Sequence, residues 1–201
     1  LINPLLPDEA GTKVNACIDN VFRIWNETSE NRSTQLIFCD FGVPTVQKKV
    51  KDKDGNAITK SEEDFSKFNI YDDIRSKLIN MGVPQEEIAF IHSAKTKEAK
   101  EKLFEKVRNG DVRILIGSAS KMGAGTNVQN KLIASHDLDC PWKPRDMEQR
   151  RGRMVRQGNE NKKVQLFRYV TKDTFDAYLF QTLENKQRFI SQIMTCLLYT
   201  S

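Results

Sequence analysis

Val14, Cys17, Ile18, Val21, Ile24 and Trp25 recur at intervals of three and four, which predicts an amphipathic helix over residues 12 to 28 with one stripe turned to a core. The short run Gln35-Leu36-Ile37-Phe38-Cys39, closed by Asp40 and Gly42, has the length and continuity of a strand covered on both faces. From residue 43 to 68 the chain turns polar and lysine-rich around the turn signal Asp54-Gly55-Asn56, the pattern of an inserted surface loop or hairpin. Beyond it the periodicity alternates. Helices are predicted near 71–81, 97–108, 145–157 and 174–194, and strands at 88–91, 112–116, 132–138 and 164–169.

Strands alternating with helices of this length build right-handed βαβ units, hence an α/β domain with a central, mainly parallel sheet and helices on both faces. Ligands of such sheets bind beyond the carboxyl ends of the strands. No internal repeat is present.

Composition narrows the class. With 201 residues, 38% hydrophobic and 29% charged, the chain can bury one substantial core and reads as one globular domain. It has neither an apolar run of membrane-spanning length nor the basic-then-apolar start of a secretory signal, so a cytoplasmic protein without a membrane partner is expected. A net charge of +5 leans toward a polyanionic partner without deciding it. Cys17, Cys39, Cys140 and Cys196 form no C-x-x-C pair and only two histidines accompany them, so no metal site is expected and the thiols read as buried and reduced. The chain opens on Leu1, and after Thr195 the segment Cys196 to Ser201 abandons the preceding pattern. Residues 1–195 are therefore taken as the domain, an internal piece of a longer polypeptide, and 196–201 as a non-native tail.

Two segments carry chemistry. In Gln149-Arg150-Arg151-Gly152-Arg153-Met154-Val155-Arg156-Gln157-Gly158, a helix places residues 149, 152, 153 and 156 on one face. Lys143 to Arg156 holds six basic residues against two acidic ones, a concentration that repels itself unless an anion or carboxylates neutralise it. Guanidinium suits phosphate because its planar fork donates two parallel hydrogen bonds and stays charged. A solvated basic helix is the bland alternative. Gly152 weighs against it, since a glycine inside a helix costs ~1 kcal/mol relative to alanine and suggests the close approach of a backbone or ligand. The second segment, Ser118-Ala119-Ser120-Lys121-Met122-Gly123-Ala124-Gly125-Thr126-Asn127, directly follows a predicted strand. Its spaced glycines admit a phosphate or sugar to the backbone, although a plain strand-to-helix turn explains a lone Gly-x-Gly equally well.

Together these segments resemble motifs V and VI of superfamily-2 helicases. Thr34 to Asp40 is similar to their motif IV, and Asp139-Cys140-Pro141-Trp142-Lys143-Pro144 resembles a signature of the chromatin-remodeller branch. Val164 to Phe175 resembles the strand and turn beyond it, and the likeness runs over about residues 12 to 195. Lys121 to Gln129, Arg156-Gln157-Gly158-Asn159 and the stretch from Phe175 to Met194 further resemble the methyltransferase-helicase fusions of phages, plasmids and conjugative elements. The 43–68 insert exceeds the general pattern.

The resemblance implies a RecA-like three-layer α/β/α lobe, the second of a motor that works on DNA in a bacterial or phage-infected cell. It implies that Arg153 and Arg156 reach the γ-phosphate of ATP held by an upstream lobe, with Arg156 as arginine finger. Gln149, Gly152, Gly125 and Asn127 are implied to serve the nucleotide. Ser118, Lys121 and Gly123, with Lys95 of the His92-Ser93-Ala94-Lys95 turn, are implied to grip a nucleic-acid backbone. His92 reads otherwise as a satisfied loop-edge residue, His136 as structural, and Trp142 as packing its loop rather than stacking on a base. The chain contains no Gly-x-x-x-x-Gly-Lys-Ser/Thr loop and no acidic magnesium-holding box, so ATP and Mg2+ are expected mainly on the first lobe and the fragment alone is expected to be inactive. A fused methyltransferase is a further implied partner. Two other classes remain in view: a nucleic-acid-binding lobe with a decayed ATPase, and a nucleotide-binding methyltransferase domain.

Overall fold

The computed structural model describes residues 11–40, 45–51, 57–63, 69–122, 127–141, 144–154 and 157–198. The first helix, α1 (Lys13–Glu27), starts where Thr12 caps it, its hydroxyl accepting the Asn15 amide at 3.2 Å. Its stripe of Cys17, Ile18, Val21 and Ile24 is buried. Strand β1 (Thr34–Phe38) lies between β5 (Ile114–Gly117) and β6 (Leu132–Asp137), parallel to both, and is buried at all five positions because both faces of the sheet are covered. With β4 (Ile88–Phe90) and β7 (Gln165–Arg168) these make a five-stranded sheet of order β4-β5-β1-β6-β7, parallel throughout.

Alternation along the strands divides the core in two. Ile37, Cys39, Ile114 and Ile116 face α1 and α2 (Ile70–Asn80), packing with Cys17, Val21, Tyr71, Ile74 and Leu78. Leu36, Phe38, Leu115 and Leu132 face the other way, onto Phe104 and Val107 of α3 (Lys97–Asn109). A smaller cluster joins Met147 of α4 (Pro144–Met154) to Phe180 and Leu183 of α5 (Phe175–Leu198) and to Cys140. Lys13 ties the start of α1 to this region through Asp176 at 2.7 Å and Asp139 at 3.7 Å.

The polar insert forms an antiparallel hairpin, β2 (Thr45–Lys51) with β3 (Ala57–Glu63), in a two-stranded sheet of its own, registered from Thr45 opposite Glu63 to Lys51 opposite Ala57. The pattern left loop and hairpin open; a hairpin is what forms. Helix α5 continues to Leu198, past the change of side-chain pattern at Thr195. Among the described residues no helix is long and apolar enough to cross a membrane.

Candidate functional site

The carboxyl ends of β1 and β6 converge on one side chain, Arg150 of α4. The helix enters on Pro144, whose fixed φ and missing N–H suit a first helical position. Two turns later Arg150 is buried over the sheet. Its Nη1 donates to Asp137 Oδ1 at 3.0 Å and to the Asp139 carbonyl at 3.3 Å, its Nη2 donates to Asp40 Oδ2 at 2.7 Å, and the guanidinium lies 4.7 Å from the Phe38 ring centroid. Burial pushes the Asp137 carboxyl up from its usual range while Arg150 pulls it back. Losing this guanidinium would leave the buried Asp137 carboxylate without a counter-charge, a loss of ~3–5 kcal/mol. Among the basic residues of this helix, Arg150 is thus committed to the chain's own acids.

Asp40 has a second contact. Its Oδ1 accepts the amide of Ala119 at 2.7 Å, so the carboxylate at the end of β1 also holds the turn that follows β5. In that turn Ser118 is buried, its Oγ 3.0 Å from Ser120 Oγ and accepting the Lys121 amide at 3.4 Å, while Ser120 is exposed. Ser118 thereby shapes the turn that carries Lys121. The neighbouring loop is brought alongside by Gly117: a Cβ there would lie 2.2 Å from Ile91 Cγ2 and 3.2 Å from Met122 Cγ, so only glycine lets the 3₁₀ turn Ile91–Ser93 close over the strand end. Lys95 stands exposed just beyond, before Thr96 caps α3. His92 has its Nε2 3.3 Å from the Tyr71 hydroxyl, a satisfied position at the loop edge.

The structure places the other sequence-derived candidates as follows. Gln149, Gly152 and Arg153 lie in α4; Gly152 is exposed, and a Cβ on it would meet nothing within 4 Å. The chain's own described atoms therefore do not crowd this glycine. Asn127 is exposed, and its carbonyl accepts from Arg108 Nη1 at 2.9 Å, which fixes its backbone against the last turn of α3. Arg156, Gly123, Gly125 and Trp142 lie outside the described residues, as do the side chains of Gln149 and Arg153. Sequence reasoning passed over Arg150, Asp40 and Gly117 as individuals. A residue that is charged and follows a buried strand directly, as Asp40 does, was the available signal for one of them.

The described carboxylates at this edge are already paired with cations. Asp40 and Asp137 are each engaged with Arg150, and Asp139 lies near Lys13, so these carboxylates already face cations. Arg153, three residues after the committed Arg150, belongs to the same helix at the same end of the sheet.

The comparisons with known proteins agree with this geometry. The model of the helicase conserved C-terminal domain matches residues 13–158, well over half of the chain. The chain belongs to that family. It is 33% identical over 94 residues to the "Defense against restriction protein B" of Escherichia phage P1, a match covering 47% of this chain and 4% of that protein. It is 29% identical over 100 residues to the "Uncharacterized ATP-dependent helicase YqhH" of Bacillus subtilis strain 168, covering 49% of this chain and 17% of the relative. Among solved structures, the C-terminal part of the Fun30 ATPase domain superposes with a TM-score of 0.57 at 17% identity, over 88% of this chain and 47% of that one. Dbp5 of S. cerevisiae, bound to RNA and ADP BeF3, gives 0.56 at 14% identity, over 89% of this chain and 38% of that one. These likenesses establish the fold, a RecA-like helicase C-terminal lobe.

Proposed function

We propose that this chain is the second motor lobe of an ATP-dependent superfamily-2 DNA helicase or translocase, supplying an arginine finger to ATP held by a first lobe and part of the grip on a nucleic-acid backbone. The observation that carries the reading is the anchoring of α4 by Arg150. With that arginine engaged by Asp40 and Asp137, the helix is anchored at the ligand-binding edge of the sheet, and of the other basic residues Arg153 and Arg156 are the ones that the motif VI resemblance assigns to an incoming phosphate. A guanidinium at a transferring phosphoryl group stabilises charge that develops in the transition state, a contribution of about 10³–10⁵ in rate. Gln149, Gly152, Gly125 and Asn127 are assigned to the nucleotide side. ATP supplies the phosphoryl chemistry, and Mg2+ belongs in this reading to the first lobe, because the carboxylates at this edge are already engaged with cations.

Lys121, Lys95, the Ser118 turn and the main chain at Gly123 are assigned to the nucleic-acid backbone. Two adjacent strand ends, those of β4 and β5, bring the Lys95 loop and the Lys121 turn to one rim, where cations contact phosphates without reading bases. Little sequence preference and strong salt dependence follow. Similarity to the phage P1 protein supports a mobile-element setting, while a fused methyltransferase partner and duplex DNA as the substrate rest on the motif resemblances alone.

The test is Arg156→Ala in the full-length protein. Nucleic-acid-stimulated ATP hydrolysis is expected to fall by about 10³ or more, with DNA affinity kept within about threefold. An unchanged kcat removes the finger from Arg156, and measurable turnover by the isolated 201-residue chain overturns its assignment as half of a motor.

A further inference from the structure

The Asp40 carboxylate is shared between two elements that the proposed function gives to two different ligands. Oδ1 holds the Ala119 amide, the first residue of the turn that carries Lys121, and Oδ2 holds Arg150 of α4, both at 2.7 Å. Nothing about a carboxylate after a strand requires two such partners 31 residues apart in sequence. We infer that Asp40 is a positioning residue that couples the two ligand sites: through it, engagement of a nucleic-acid backbone at the Ser118–Lys121 turn sets the position of α4 and of the arginines that meet ATP. The inference rests on the motor reading above.

The two acids on Arg150 differ in a way that suits them to separate tasks. Asp137 is buried, its side chain 4% exposed, and Arg150 also donates to the Asp139 carbonyl beside it, so this half of the contact is a fixed anchor. Asp40 is 35% exposed. Water can replace one of its partners at small cost, whereas the Asp137 pair would leave a charge unsolvated if it opened. A shift of the turn can therefore weaken or strengthen the Asp40 arm while Arg150 keeps its compensation, and α4 pivots about Asp137 instead of detaching. Phe38, two residues upstream at the end of β1, lies under the guanidinium and gives that pivot a surface. Lys121 is drawn into the same unit, because its amide and that of Met122 both bond to Ser118, to the Oγ at 3.4 Å and to the carbonyl at 3.0 Å.

Asp40→Asn separates the two arms. The amide oxygen can still accept from Ala119, but the NH2 group then faces Arg150 and cannot accept from it, while Asp137 goes on compensating the guanidinium. In the full-length protein the ratio of kcat for ATP with saturating duplex DNA to kcat without it is expected to fall at least tenfold. KM for ATP and Kd for DNA should stay within threefold, a split that a merely structural weakening would not produce. A ratio within threefold of wild type overturns the inference, and so does a loss confined to DNA affinity. A wild-type protein that hydrolyses ATP without responding to DNA sinks the motor reading itself, a different outcome. Should the variant fail to fold, hydrogen exchange of the wild-type protein decides. Adding duplex DNA without nucleotide is expected to raise protection in residues 144–154 together with residues 119–122, and protection of the turn alone overturns the coupling.

Discussion

His136 Nε2 lies 3.0 Å from Gln35 Oε1, and this contact fixes the state of the imidazole. The Gln35 amide nitrogen donates to the Val21 carbonyl at 2.9 Å, so the oxygen that faces His136 must accept, and the ring proton resides on Nε2. Nδ1 then accepts from the Tyr169 hydroxyl at 2.8 Å, and the ring stacks on Phe167 at 5.0 Å between centroids. Every polar atom of a buried, neutral histidine is satisfied between β1, β6 and the end of β7. The expected structural role for His136 thus corresponds to a network that ties three strands to α1.

A proton at Nδ1 would place a charge inside the sheet opposite a donor hydroxyl, and burial pushes the His136 pKa down to about 3 from the ordinary 6.5. Because the folded value lies below the unfolded one, the unfolded chain binds the proton first. This group's contribution is complete above pH 6.5 and is lost as pH falls toward 3. At ~1.4 kcal/mol per pH unit, urea unfolding at pH 5.0 should show a loss of about 2 kcal/mol relative to pH 7.5. The same measurement on His136→Gln should lose that component, and an equal drop in the variant would assign the acid sensitivity to other groups.

Gly117 predicts a different failure. Alanine there drives a methyl to 2.2 Å from Ile91 Cγ2, and Ile91 is fully buried, so neither side chain has space to yield. Gly117→Ala is expected to destabilise the chain by about 1–3 kcal/mol, as overpacking does. Since the same contact seats the His92–Lys95 loop beside the Lys121 turn, DNA affinity of the full-length protein should weaken as well. Calorimetry together with a binding titration reads both, and a variant of wild-type Tm would show that the 3₁₀ turn moves aside freely.

Periodicity made most of the fold legible. The stripe from Val14 to Trp25 placed α1 to within one residue at each end, and the run ending at Cys39 found β1 because a strand covered on both faces has no polar side to confuse the pattern. The division of labour among the arginines was not legible. Arg150, Arg151, Arg153 and Arg156 look alike in a string, and what separates Arg150 is contact with Asp137 and with Asp40, 13 and 110 residues away. Long-range pairing of that kind leaves no trace in local spacing. The hairpin was half-visible for a related reason: turn residues mark where a chain reverses, while the register of β2 on β3 is set by pairing that no apolar face dictates.

Gly152 offers the sharpest division between a lobe that works alone and one that works against a partner. It sits exposed within α4, and a Cβ on it would meet nothing within 4 Å. Alanine at an open helical position ordinarily stabilises by up to ~1 kcal/mol, because glycine gives up more backbone freedom on folding. Gly152→Ala should therefore raise the Tm of the isolated chain by about 2–4 °C. In the motor reading, however, the nucleotide and the first lobe approach this face, and a methyl group occupies space they need. Stimulated kcat of the full-length variant is then expected to drop at least tenfold although its second lobe is more stable, opposite signs that a purely structural glycine cannot give. If Tm rises and kcat is unchanged, nothing arrives at Gly152 in the assembled protein, and the nucleotide must be sought along another face of α4.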